Sequence, residues 1–204
     1  MKVYQDLTLL PDSEISPGAL WSELFQKMHV ALVKIKNKDG KVPVGLAFPQ
    51  YRHCIASEHT TDFPLGLKLR VFGSSEHDLL NLNLNLGGLS DYVHKTGVRT
   101  VPDHVSNYAV FSRYQPKGKS SQERLIRRLA QRENCSLENA REIYNAKQTV
   151  KPAEHVKLPF LQMSSKSSSH RFPLFIERKQ KEVSREGCFS TYGLSDGTTT
   201  VPDF

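Results

Sequence analysis

The sequence predicts an α+β protein with an arginine-rich helix in its second half. Three observations lead to this prediction. Apolar residues recur at helical spacing from Pro17 to about Val33, and strand-like apolar runs lie before and after that stretch. Cations are concentrated between residues 113 and 132, after a change of character near Pro102. The sequence therefore predicts a first domain, residues 1–105, and a smaller second domain, residues 106–204.

The first domain is predicted to follow the order β-α-β-β-α-β. Pro17 opens the first helix because its ring suits the first helical turn, and the apolar stripe of that helix is Leu20, Leu24, Met28, Ala31 and Leu32. The predicted elements are strand 3–10, helix 17–33, strands 42–48 and 65–72, helix 75–82 and strand 92–101. This order is that of the ferredoxin-like split motif, which many unrelated functions share.

The second domain is predicted to combine two helices with a few antiparallel strands. Ser120 and Glu123 have the spacing of a capping box, and Ser136 has the position of a second helix cap. Around these helices the pattern predicts an extended segment at 108–115, strands at 158–163 and 172–177, and a strand and turn near 192–197.

The positive charge is localised. Residues 113–132 hold seven cations and one anion, a net of +6, whereas the whole chain has a net charge of +7. Charge packed into a short run offers a place for a polyanion to bind, which makes nucleic acid the first hypothesis.

Helical spacing orders this charge along one side of the predicted helix. Leu125, Ile126, Leu129 and Ala130 are predicted to dock on the protein, and the opposite side carries what we call the arginine row: Arg124, Arg127, Arg128, Gln131 and Arg132. A solvated basic face is the common alternative. Because no acidic residue stands at i+4 to neutralise the row, the pattern favours a ligand-binding face.

Several classes of protein are disfavoured by the sequence. No apolar run reaches the roughly 20 residues that span a bilayer, and the N-terminal residues lack a signal-peptide core, so no membrane partner is expected. Cys54, Cys135 and Cys188 are far apart, which argues against disulfides and zinc and suits a reducing cytoplasm. The acidic residues form no cluster of the kind a two-metal nuclease needs, so no metal and no cofactor are expected.

The candidate chemical groups each have a plain alternative. Arg113 and Gln115 leave one face of an extended segment and suit guanine and adenine, but Arg-x-Gln is frequent. His29 lies at the edge of the first apolar stripe, where spacing alone favours a half-covered boundary residue without a role. The serines of 164–169 are candidates either for a phosphate-binding loop or for a flexible linker. Tyr192 is a candidate either for a site residue acting through its phenol or for an aromatic residue of the core.

Taken in order, these segments resemble a known family, the CRISPR-associated endoribonucleases of type I-F systems. The resemblance runs nearly end to end. It is carried by residues 24–29 (LFQKMH), 112–115 (SRYQ), 123–129 (ERLIRRL), 158–160 (LPF), 172–176 (FPLFI), 192–195 (YGLS) and 201–204 (VPDF).

The resemblance implies cleavage of a CRISPR RNA repeat hairpin, without metal, and association with other subunits of a type I-F surveillance complex. It implies that His29 is the catalytic histidine, that Ser165 (or Ser164 or Ser167) holds the ribose, and that Tyr192 orients the histidine. RNA contacts are implied for Phe172 on the terminal base pair, for the purine-reading pair Arg113 and Gln115, and for Lys119, Arg124, Arg127, Arg128, Gln131 and Arg132.

The chain departs from the family pattern at Ile126 and Gln131, where further arginines are expected, which predicts a weaker or shifted phosphate grip. Two other functions stay open at this point. One is a non-catalytic RNA-binding protein. The other is a DNA-binding regulator with 120–144 as a helix-turn-helix, to which an arginine row along the first helix is poorly suited.

Overall fold

The computed structural model describes residues 1–52, 63–116, 119–147, 158–165 and 170–204. It divides into two compact units: unit 1 comprises Met1–Tyr114 with Leu158–Phe204, and unit 2 comprises Gln115–Lys157. The boundary predicted at residue 105 falls inside unit 1. Within the described ranges, no helix is long and apolar enough to cross a membrane.

Unit 1 begins with a five-stranded antiparallel sheet. Its strands run in the order β2-β3-β1-β4, and β5 pairs with β1. The strands are β1 (Val3–Leu9), β2 (Gly45–Ala47), β3 (Lys68–Gly73), β4 (Val93–Lys95) and β5 (Arg99–Thr100). The helices that connect them are α1 (Pro17–Lys34), α2 (Glu76–Asn81) and a 3₁₀ helix (Gly87–Tyr92). The prediction of an α+β chain is confirmed.

Helix α1 begins where the sequence predicts. The Ser16 side chain accepts a hydrogen bond from the amide of Ala19, and Pro17 occupies the first turn. The buried face is the predicted stripe with two aromatic residues added: Leu20, Trp21, Leu24, Phe25, Met28, Ala31 and Leu32. That face fixes the rotation of α1, and so it also fixes where the residues at its edge, including His29, are presented.

A second antiparallel sheet completes unit 1, in the order β7-β8-β6-β9. Its strands are β6 (Tyr108–Tyr114), β7 (Phe160–Ser164), β8 (Arg171–Lys181) and β9 (Val201–Pro202). Phe111, Leu174 and Ile176 of this sheet are buried in the same apolar cluster as Leu7 and Phe48. The shared cluster explains why residues beyond 105 join unit 1.

Unit 2 contains α3 (Lys119–Glu133) and α4 (Leu137–Lys147). The helices pack through Ile126, Ala130 and Ala140. Asn134 ends α3 with φ 46°, and the Cys135 amide donates to the Ala130 carbonyl, as in a Schellman-type helix end.

Two details of the predicted arginine helix are wrong. Helix α3 begins at Lys119, one residue before the predicted cap position at Ser120, and Glu123 forms an ion pair with Arg141 at 2.8 Å. Leu125, predicted to dock, is 44% exposed because the contact with α4 is made by the Ile126 side of the helix. The second predicted cap is confirmed, since the Ser136 hydroxyl accepts a hydrogen bond from the Asn139 amide at 3.2 Å.

Candidate functional site

His29 contacts two consecutive residues of the segment that follows Phe189, namely Thr191 and Tyr192. Its ring stacks on the Tyr192 ring, with centroids 4.2 Å apart and planes 8° from parallel. Its Nδ1 lies 2.8 Å from the carbonyl oxygen of Thr191. Because a carbonyl oxygen only accepts hydrogen bonds, Nδ1 carries the hydrogen. In the neutral ring, Nε2 therefore keeps its lone pair and is the nitrogen able to take up a proton.

A tight turn puts Tyr192 in this position. The Gly193 amide donates to the Ser190 carbonyl at 2.7 Å, and Gly193 has φ 68°, which favours glycine. A Cβ at Gly193 would lie 2.4 Å from Cγ of Leu46 in β2, so glycine is also required by the close approach. Tyr192 lies in this turn and not in a strand, and its half-buried side chain packs against the apolar cluster of unit 1.

The serine segment meets α1 near the same place. β7 ends at Ser164, whose amide donates a long hydrogen bond to Oε1 of Gln26 at 3.4 Å. The amide of the half-buried Ser165 donates to the His170 carbonyl at 2.9 Å. Ser167, the third serine considered, lies outside the described residues.

Four of the predicted site residues line one open cavity of about 440 Å³, which we call the His29 groove: His29, Ser165, Phe172 and Tyr192. Gln26 and Ser164 line it as well. A larger cavity of about 660 Å³ lies elsewhere in unit 1, beside Lys2 and Arg185, and none of the predicted site residues lines it. The structure thus brings together three catalytic candidates and one RNA-binding candidate.

Arg113, near the end of β6, lies beside the His29 groove. Its guanidinium carbon is 5.5 Å from the Phe172 ring centroid and 5.8 Å from the Tyr192 ring centroid, within the range of a cation–π contact. Arg113 is nevertheless exposed, so its hydrogen-bond donors remain accessible to a ligand. Gln115 follows the strand, is exposed and belongs to unit 2.

The arginine row of unit 2 is exposed along its whole length, as predicted. Its members are not equivalent. Arg132 hydrogen-bonds through Nε and Nη2 to the neighbouring Glu133 carboxylate at 3.1 and 2.9 Å, whereas no described carboxylate is within ion-pair distance of Arg127 or Arg128. Lys119 is the first residue of α3.

The sequence analysis did not predict two contacts of the site, those made by Gln26 and by Thr191. Gln26 stands three residues before His29, a spacing that places both on one side of a helix, so a signal existed. Thr191 contacts His29 through its backbone carbonyl. Every residue has such a carbonyl, so the residue type at position 191 could not have predicted this contact. In the described parts of the chain, no group of three or more His, Cys, Asp or Glu side chains is placed to hold a metal ion.

Comparison with known proteins gives consistent results over the full length. Residues 4–204 match the model of a family described as CRISPR-associated protein (Cas_Csy4). The chain is 37% identical over 200 residues to "CRISPR-associated endonuclease Cas6/Csy4" of Pseudomonas aeruginosa (strain UCBPP-PA14), covering 97% of each chain. It is 32% identical over 207 residues to the protein of the same name from Escherichia coli (strain UTI89 / UPEC), covering 100% of both. A solved structure described as "An RAMP protein binding different RNA substrates" is 13% identical, is matched over 98% of this chain and 99% of that chain, and has a TM-score of 0.39.

Proposed function

The chain belongs to the Cas_Csy4 family of CRISPR-associated proteins, and from this we propose that it is an endoribonuclease that processes the precursor of CRISPR RNA. The family resemblance predicted from the sequence is confirmed, and the two similar proteins are both named CRISPR-associated endonucleases. The substrate we propose is the repeat stem-loop of the precursor, cut at the base of the stem.

The observation that carries this proposal is the environment of His29. With Nδ1 donating to the Thr191 carbonyl, Nε2 is the nitrogen that accepts a proton from the ribose 2′-OH. The 2′-oxygen then attacks the adjacent phosphorus, a P–O2′ bond forms, and the P–O5′ bond breaks. The imidazolium gives its proton up again, to the leaving 5′-oxygen directly or through water, so the products are a 2′,3′-cyclic phosphate and a 5′-OH and His29 is neutral once more.

This chemistry needs positioning more than it needs a strong nucleophile. The attacking and leaving oxygens belong to one phosphodiester, so holding the sugar in line supplies much of the acceleration. We assign that role to Ser165, which lines the His29 groove with His29, and we assign to Tyr192 the role of orienting the imidazole. Side chains alone perform each step, and the proposed reaction uses no metal.

Binding is proposed to involve both units. In unit 1, Phe172 stacks on the terminal base pair of the stem, a contact worth about 1–3 kcal/mol in comparable systems. Arg113 of unit 1 and Gln115, the first residue of unit 2, read the two purines at the base of the stem. In unit 2, the arginine row and Lys119 bind backbone phosphates and supply salt-sensitive affinity. We further propose that the protein keeps its product and joins other subunits of a type I-F surveillance complex.

We also propose that the first sheet has the ferredoxin-like topology. The element order β-α-β-β-α-β and the antiparallel strand order β2-β3-β1-β4 support this classification.

Cleavage of the repeat hairpin by the purified protein tests the proposal. A 2′-deoxy substitution at the cut should abolish cleavage and leave binding largely intact, and a chelator should have no effect. His29→Ala should slow cleavage by about 10²–10⁴-fold, the usual contribution of proton transfer. Sensitivity to chelator would contradict the mechanism. Processing unchanged in His29→Ala would favour a non-catalytic role for His29, and a preference for duplex DNA without cleavage would favour the regulator.

A further inference from the structure

A second groove adjoins the His29 groove along helix α1. Gln26, Val30 and Lys34 follow one another at intervals of four residues and so form a single ridge along the helix. All three line the His29 groove, and all three also line a second groove of about 290 Å³. The two grooves therefore meet along this ridge.

Val30, the middle residue of the ridge, has a shorter side chain than Gln26 and Lys34, which lie one turn away on either side. A flexible strand that leaves the His29 groove can cross α1 over Val30 and enter the second groove. Lys34 is exposed, and no described carboxylate lies within ion-pair distance of it, so its charge is available at the crossing.

The second groove has the mixed lining that a nucleotide requires. Ala31 and Val30 supply apolar surface, and Asn83 and Asn85 supply amides. Its charges are Lys34, Lys27 and one carboxylate, Glu23, which lies 3.6 Å from Nζ of Lys27. Lys34 is therefore the cation that gives the groove its net attraction for phosphate.

We propose that the second groove binds the RNA strand that continues past the cut, the strand that leaves with the 5′-OH. This inference rests on the proposed function. Arg113 and Phe172, assigned to the stem, lie beside Tyr192, and neither lines the second groove. A strand that passes from those residues to His29 has the ridge and the second groove as its continuation.

Two RNAs test this, one ending a single nucleotide past the cut and one extending five nucleotides past it. The variant is Lys34→Ala, and the matched control is Lys38→Ala, another exposed lysine that lies outside both grooves. Single-turnover cleavage is measured with both RNAs, and affinity is measured with their 2′-deoxy forms as a function of salt.

We expect Lys34→Ala to weaken binding of the long RNA by about two- to fivefold, the scale of one exposed charge contact, and to weaken binding of the short RNA by a smaller factor, because Lys34 also lines the His29 groove. The salt slope for the long RNA should fall by about 0.7, the value for one single-strand phosphate. Lys38→Ala should change neither the affinity nor the salt slope for either RNA. An equal loss on both RNAs, or a loss on neither, would overturn the inference while cleavage by the unmodified protein still supports the proposed function. Failure of the unmodified protein to cleave either RNA would instead overturn the proposed function.

Discussion

The orientation of His29 depends on two neighbours in consecutive positions of one turn. The Thr191 carbonyl selects which imidazole nitrogen carries the hydrogen, and the Tyr192 ring covers one face of the imidazole. The contact with Tyr192 is made between ring faces. The side chain therefore acts on His29 chiefly through its aromatic surface, and this can be separated from any role of its hydroxyl.

Replacement of Tyr192 by Phe and by Leu separates the two roles. Tyr192→Phe keeps the stacked ring, so single-turnover cleavage should remain close to that of the unmodified protein. Tyr192→Leu keeps apolar bulk but loses the ring pair, worth about 0.5–1.5 kcal/mol, and cleavage should slow by about two- to tenfold. If Tyr192→Phe is as slow as Tyr192→Leu, the hydroxyl and not the stacking is the important group.

The arginine row of helix α3 gives a graded prediction because its members differ in their partners. Arg127→Ala or Arg128→Ala should weaken hairpin binding, and each should lower the salt slope by about 0.7–0.9, the value for one phosphate contact. Arg132→Ala is the matched comparison and should cost less, since Glu133 already engages that side chain. Equilibrium binding of the repeat hairpin carrying a 2′-deoxy substitution at the cut, over a range of salt concentrations, measures all three variants. Salt slopes in Arg127→Ala and Arg128→Ala equal to that of the unmodified protein would mean that α3 does not bind the RNA backbone.

Periodicity predicts elements well where one face is fully buried. The stripe of α1 and its start at Pro17 are confirmed because seven residues of that helix face a large core. The contact of helix α3 with α4 is narrow and centred on Ile126 and Ala130, so spacing alone could not tell that Leu125 is left exposed. Periodicity in the sequence predicts which side of a helix is buried, but the width of the buried face depends on the element that packs against it.

The sequence could not reveal which distant segments share the core of unit 1. β6 pairs with β8, so Ser112 lies opposite Glu177, and this long-range pairing leaves no local pattern in either strand. The last residues are also tied to the first sheet, since Nη1 of Arg70 donates to the Phe204 carbonyl at 2.6 Å. The predicted boundary at 105 used local composition, whereas unit 1 is assembled by contacts between distant segments.

The buried pair of Asp6 and Arg70 links β1 to β3 and gives a final prediction. Arg70 donates two hydrogen bonds to the Asp6 carboxylate, at 2.7 and 3.0 Å, and its guanidinium also lies 4.2 Å from the Phe204 ring centroid. Asp6→Asn would leave Arg70 buried without its counter-charge, and breaking such a pair costs about 3–5 kcal/mol.

Urea unfolding measures this cost, with the fluorescence of Trp21, the single tryptophan, and far-UV circular dichroism as probes. The matched control is Asp196→Asn, because Asp196 pairs with Lys41 at 3.5 Å on the surface and should contribute less than about 1 kcal/mol. Because both sheets contribute to one core, the Trp21 transition of Asp6→Asn should move to lower urea as a single step. A loss of stability no greater than that of Asp196→Asn would show that the pair does not stabilise unit 1, and a Trp21 transition in two steps would show that the two sheets unfold separately.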